Sequence, residues 1–175
     1  MPTEMSDKPT AEFAEFYSSW FDRVYNYARC RTGSSVKADE IAADSFERAF
    51  RAWGQFDAKR GNRQTWLFSI AFRSVADHYR SEKRGIWSSL ELTPDPPDTA
   101  GGPAKKAEQA DEKRLLTAAL NELEDEAREI VSLRFFSGMT NRAIGELLGL
   151  SESNVAVILF RSIRKMRKNL PALEA

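Results

Sequence analysis

The side chains able to carry out covalent or metal chemistry are too few and too scattered to do so. His78 and Cys30 are each the single residue of their type, so an intramolecular disulfide and a cysteine-based metal cluster are excluded. The carboxylates show no recurring spacing for an acid/base pair, which argues against an enzyme. Lone His78 reads as packing or capping near a helix end. What remains is binding chemistry. Lys plus Arg equals Asp plus Glu at 26 each, so net charge is silent about nucleic acid, but its distribution is not. Residues 60–84 carry Arg60, Arg63, Arg73, Arg80, Lys83 and Arg84 against Asp77 and Glu82, and residues 152–168 carry Arg161, Arg164, Lys165, Arg167 and Lys168 against Glu152. Two basic segments separated by an acidic stretch fit two contact regions on one polyanion; solvated helix faces would have the same composition.

The elements that must position these cations follow from periodicity. In the stretch Thr140–Lys168, Ala143, Ile144, Leu147 and Leu148 share one helical face, and Val155, Ile158, Leu159, Ile163 and Met166 share another. Thr140 can cap the first helix, Gly149 suits a left-handed end to it, and Ser151 can cap the second by accepting from the amide of Ser153 or Asn154. This is the pattern of a helix-turn-helix, and equally of an ordinary helical hairpin with a charged outer face. The other basic segment begins in QFDAKRGNRQ, residues 55–64, which has no periodicity and leads into a helix opening with Trp66. A polar, basic, Gly-containing loop beside an aromatic suits single-stranded nucleic acid, where cations track phosphates and a ring or pocket receives an unstacked base. Core packing of Trp66 is the plainer alternative.

Residues 1–10 are polar and read as a frayed leader. From Ala11 a helix carries Phe13, Phe16, Tyr17, Trp20, Phe21, Val24 and Tyr27 on one face, as core or as a partner surface. A second helix reads from Val36 to Trp53, with Ile41, Ala42, Phe46, Ala49, Phe50 and Trp53 apolar, Gly54 placed to end it, and Asp39, Glu40, Asp44, Glu47, Arg48 and Arg51 opposite. Four of the seven prolines fall within residues 87–111, which predicts a flexible linker. Beyond it, Leu115, Leu116, Ala119, Leu120 and Leu123 form a helical face, and the acidic ELEDEARE precedes a helix with Ile130, Val131 and Leu133. The expected fold is all-α: two small helical domains, 11–86 and 112–170, joined by the linker. No apolar run approaches a membrane span and the N-terminus lacks a hydrophobic signal centre, so a cytoplasmic location without membrane insertion is expected.

Three motifs in this order carry a resemblance: ADEIAADSFERAFRAW at 38–53, TWLFSIAFRSVADHYRSEKR at 65–84, and LRFFSGMTNRAIGELLGLSESNVAVILFRSIRKMR at 133–167. From Phe13 to Leu170 the chain resembles the extracytoplasmic-function sigma factors of the sigma-70 family, with their second and fourth conserved regions at 11–86 and 112–170. The resemblance implies a bacterial transcription-initiation protein without catalytic residues, metal or cofactor, whose partners are core RNA polymerase, promoter DNA and an anti-sigma factor. It implies polymerase contacts around Asp39, Asp44, Phe46 and Arg48. It also implies minus-ten contacts by Lys59, Arg60, Asn62, Arg63, Thr65, Trp66, Arg73 and Arg80, the loop Asp57–Gln64 holding a flipped base. Minus-thirty-five contacts would come from Ser151, Glu152, Ser153, Asn154, Arg161, Arg164 and Lys165 in the major groove.

The chain departs from the family at several positions. Ala43 stands where Gln is frequent, Phe72 and Arg73 where Asn often follows Ile-Ala-Arg, and Ala156, Val157 and Ile158 where Lys-Ser-Arg is frequent. Base readout then leans on Glu152, Ser153, Asn154 and Arg161. A stand-alone helix-turn-helix regulator, with residues 11–84 as a sensor or dimerisation domain, is the competing expectation.

Overall fold

The aromatic face of the first segment requires cover, and the computed structural model, which describes residues 8–83, 115–116 and 118–169, with backbone alone at 8, 9, 60, 83 and 169, shows where it comes from. The chain divides into two units, residues 1–91 and 92–175. The described residues contain helices and turns and no strand. The linker expected at 87–111 and residues 1–7 of the expected leader lie outside the described residues.

In the first unit, helix α1 (Lys8–Thr32) packs on α2 (Ser35–Arg51) and α3 (Arg63–Lys83), and α2 packs on α3. α1 begins three residues ahead of the expected Ala11; a proline in a first turn, here Pro9, is tolerated because that N–H has no helical partner to lose. Val24 and Tyr27 of α1, Ile41, Ala42, Phe46 and Ala49 of α2, and Leu67, Phe68, Ala71 and Val75 of α3 make the core. Gly33 ends α1 at φ 68°, and the Ser34 hydroxyl accepts from the Lys37 amide to start α2. Two long-range bonds bind the far end of α3: the Tyr79 hydroxyl donates to the Arg31 carbonyl, and Lys37 pairs with Glu82.

Two expectations for α2 are corrected. The helix stops at Arg51 rather than Trp53, and Gly54 sits inside a 3₁₀ turn, Trp53–Gln55, without a left-handed φ. The turn replaces the glycine end because its own bonds, Gln55 amide to Ala52 carbonyl among them, continue the satisfaction of the helix end. The segment without periodicity then contains a second 3₁₀ turn, Ala58–Arg60, preceded by extended Asp57 and followed by Gly61 at φ 147°.

In the second unit, helical residues 118–121 precede α4 (Asp125–Ser132), a π-type turn Leu133–Ser137, α5 (Asn141–Leu148) and α6 (Glu152–Asn169). The Arg128 side chain donates to the carbonyls of Leu120, Asn121 and Leu123, satisfying the end of the preceding helical segment. Ser137 donates to the Leu133 carbonyl and accepts from the Met139 amide, holding the turn before left-handed Gly138. Ala119, Leu120, Leu123, Ile130, Val131, Leu133, Ile144, Val155 and Leu159 are buried. Leu115 and Leu116, expected on that face, are each 41% exposed. No single helix among the described residues is long and apolar enough to cross a membrane.

The turn between α5 and α6 is built as expected: Thr140 accepts from the Ala143 amide, Gly149 is left-handed at φ 73°, and Ser151 accepts from the Asn154 amide. Less visible in the sequence is Gly145, where the Leu150 amide bonds the Gly145 carbonyl and a Cβ would stand 2.5 Å from the Leu150 carbonyl oxygen. Gly145→Ala is expected to destabilise the second unit by about 1–3 kcal/mol, although Ala in a helix interior ordinarily gains about 1 kcal/mol over Gly. Denaturant melting reads the sign; a stabilised variant would contradict the close approach. In the first unit the hydrogen bond from Lys37 holds the Glu82 pKa below its ordinary value of 4.5. A depressed carboxylate pKa stabilises the fold at higher pH, and this contribution fades as pH falls from 4.5 toward the lower folded-state value. Glu82→Gln should therefore flatten the acid limb of the melting-temperature profile; an unchanged acid limb would exclude the contribution.

Candidate nucleic-acid interfaces

The first candidate site is the loop between α2 and α3. The Asp57 carboxylate accepts from the Lys59 amide at 2.9 Å, and the Asn62 side-chain oxygen accepts from the Thr65 amide at 2.7 Å, capping α3. Between them Gly61 has φ 147°, a backbone region that only glycine adopts without strain. The loop frames an open cavity of about 270 Å³ lined by Gln55, Phe56, Asp57, Gly61, Asn62, Thr65, Trp66 and Ser69. That is below the roughly 300–1,000 Å³ typical of drug-sized ligands. A planar group flanked by amide, carboxylate and hydroxyl groups, with an aromatic wall, matches this lining.

The expected residues divide into scaffold and contact groups. Arg63 lies 4.1 Å from the Trp53 ring centre and 5.4 Å from that of Phe56, and pairs with Glu12 at 3.8 Å. It braces the loop to the aromatic core. Trp66 is half-buried, its ring centre 5.4 Å from Phe56 and 6.3 Å from Trp53, and it serves both as cavity wall and as packing. Lys59 and Arg73 are exposed, and Arg80 is exposed beside Asp77 at 3.3 Å. The Arg60 side chain lies outside the description. Sequence reasoning missed Gln55, Phe56 and Ser69 as lining residues. Ser69 could have been found one turn beyond Thr65, whereas Gln55 and Phe56 depend on the 3₁₀ turn.

On α2, Asp39 is exposed, and Arg48 bridges Asp44 at 2.9 Å and Asp77 of α3 at 2.8 Å. These bonds, the one to Asp77 foremost, raise the Arg48 pKa. Phe46 is not part of that polar face. It is 3% exposed beneath Phe13, Tyr17 and Phe21, so its side chain supports the helix from inside while Asp39, Asp44 and Arg48 form the outward part of the expected polymerase-contact group. Phe50, expected on the buried face, is 51% exposed and touches Phe13 edge-on.

The second candidate site is α6. Val155, Leu159 and Ser162 are buried, while Ser151, Glu152, Ser153, Asn154, Arg161, Arg164 and Lys165 are all exposed, as the wheel predicts. Lys165 donates to the Glu122 carbonyl, which positions its ammonium near the start of the unit's helices. Between the polar residues stand Val157 and Phe160, exposed by 45% and 67%. Phe160 was absent from the sequence expectations; its place opposite Val155 and Leu159 is readable from helical geometry.

A second helix presented outward after a tight turn, with a basic flank, has the geometry of a helix-turn-helix. Family comparison is specific: the Sigma-70 region 2 model matches residues 16–85 and the Sigma-70, region 4 model residues 113–166. The chain belongs to the sigma-70 family, in its extracytoplasmic-function (ECF) group. It is 26% identical over 159 residues to the ECF RNA polymerase sigma factor BldN of Streptomyces coelicolor, covering 91% of this chain and 60% of that protein. It is 26% identical over 161 residues to the ECF RNA polymerase sigma factor SigK of Mycobacterium tuberculosis, covering 91% of this chain and 86% of that one. Its fold matches the sigma factor RpoE of Bartonella quintana, solved in complex with the anti-sigma factor NepR, with TM-score 0.71 at 18% identity over 92% of this chain and 98% of that one.

The division into scaffold and contact groups is testable. Asn62→Ala, which removes the α3 cap, should cost about 1 kcal/mol of stability. Lys59→Ala, an exposed change, should stay within about 0.5 kcal/mol of the parent. Equal melting of the two variants would remove the scaffold role of Asn62.

Proposed function

We propose that this chain binds core RNA polymerase as a sigma factor and directs promoter-specific initiation of transcription, with no catalytic chemistry of its own. The observation that carries the reading is the pairing, in family order, of a polar loop cavity beside α3 with an outward recognition helix. In this reading residues 11–86 form region 2, 87–111 the linker and 112–170 region 4. The loop cavity takes a base unstacked from the minus-ten element, with Lys59, Arg60, Arg73 and Arg80 supplying cations along the strand. Flipping a base costs a few kcal/mol, which a preformed cavity and nearby cations can offset. Helix α6 enters the major groove at the minus-thirty-five element, its N-terminal side chains facing base edges and Arg164 and Lys165 facing phosphate.

Polymerase docks on the face of α2 that carries Asp39, Asp44 and Arg48, the last held in place by Asp77. A relative of the same fold is seen with an anti-sigma protein, and the exposed rings Tyr17 and Phe50 offer apolar surface that such a protein could mask. A cytoplasmic location follows from the function.

Purified chain plus bacterial core RNA polymerase should give run-off transcripts from a cognate promoter and none from a scrambled one. Arg161→Ala or Arg164→Ala should weaken promoter binding and, for a phosphate contact, reduce the salt dependence by about one unit of slope. Tight duplex binding by the chain alone, with no transcripts once polymerase is added, would replace this reading with a stand-alone regulator.

A further inference from the structure

Val157 and Phe160 occupy the part of α6 farthest from its packed stripe. Val155, Leu159 and Ser162 are buried, and at 100° per residue, the pitch of a helix, positions 153, 157, 160 and 164 point away from them. Ser153 and Arg164 are polar and exposed, yet the two residues between them are a valine 45% exposed and a phenylalanine 67% exposed. Ala156 is exposed beside them. An apolar pair at the centre of an otherwise polar face, with Arg161, Arg164 and Lys165 exposed along the same helix, calls for an apolar feature inside a polyanion. Duplex DNA has one such feature in the major groove, the C5 methyl of thymine. The oxygens and nitrogens of the other base edges there are donors or acceptors, which a valine or phenylalanine would desolvate without pairing, and the cytosine C5–H offers less apolar surface than a methyl.

We propose that Val157 and Phe160 form a thymine-methyl reading pair, so that the upstream element recognised by this chain carries thymines whose methyl groups pack on these two side chains. The proposal rests on α6 being the helix that enters the major groove. It goes further in naming which atoms select the sequence and in shifting part of the readout from hydrogen bonding to methyl contact. Ser153 and Asn154, one turn back, and Arg161, one turn on from Val157, then read hydrogen-bonding edges beside the methyls.

The experiment starts with the full chain in complex with core RNA polymerase, used to select duplexes from a library randomised across the upstream element. The selected element is remade with deoxyuridine at each thymine, which removes the methyl and nothing else. Binding of the parent complex should weaken about fourfold for each contacted methyl, the factor equivalent to about 0.8 kcal/mol per buried methyl-sized group. Val157→Ser and Phe160→Ala should bind the thymine element less tightly and lose the distinction between thymine and uracil, while their melting temperatures stay those of the parent. Selected elements without thymine, parent binding indifferent to uracil, or variants that keep the full thymine preference would each overturn the proposal, and would assign the pair to a protein partner instead. Failure to select any duplex, together with absent run-off transcription, would overturn the underlying reading of α6 as well.

Discussion

Small helical units bury only one face of each helix, and this division of every helix into a packed and an outward face is the constraint on which the rest of the molecule depends. In the first unit the packed faces of α1, α2 and α3 meet around Tyr27, Phe46, Leu67 and Phe68, each at most 3% exposed. In the second, Ile130, Leu133, Ile144 and Val155 are fully buried. The outward faces inherit whatever the packing leaves over, and their positions are as rigid as the cores behind them. Side chains on those outward faces are therefore held in fixed positions without help from a ligand.

The loop beside α3 shows how such rigidity extends to irregular chain. Its shape comes from one carboxylate, one amide side chain, one glycine and one guanidinium. Asp57 and Asn62 satisfy backbone amides that would otherwise need water, Gly61 takes a φ closed to other residues, and Arg63 holds the loop against Trp53 and Phe56. A cavity prepared in this way need not be ordered when it is filled, so less of any binding free energy is lost to ordering. The same economy of parts recurs at the turn before α6, where the Gly145 carbonyl receives the Leu150 amide.

Charge in this chain is local rather than global. With 26 cations and 26 anions there is no net attraction to DNA at long range, and several cations are already engaged. Arg48 serves two carboxylates, Arg80 lies beside Asp77 and Arg63 sits over aromatic rings. The cations of α6 are the more outward set, Arg161 and Arg164 being exposed at the surface of a helix with a single acid, Glu152. An ordinary balance of charge thus conceals one basic face on α6, interrupted by the exposed apolar Val157 and Phe160.

Local signals in the sequence were sufficient for what local physics controls. The helical periods, the caps at Thr140 and Ser151, the left-handed Gly149 and the outward α6 residues all follow from interactions within a few positions along the chain, and the structure has them as read. Tertiary structure decided what depends on residues far apart. Phe46 and Phe50 stand one turn apart on the same nominal face, and only the placement of α1 buries one and leaves the other half outside. Arg63 became a brace because the turn after α2 brings Trp53 and Phe56 under it, and the same turn added Gln55 and Phe56 to the cavity. A hydrophobic period states that a side chain can be covered; which neighbour arrives to cover it is settled by long-range packing, which no window of sequence contains.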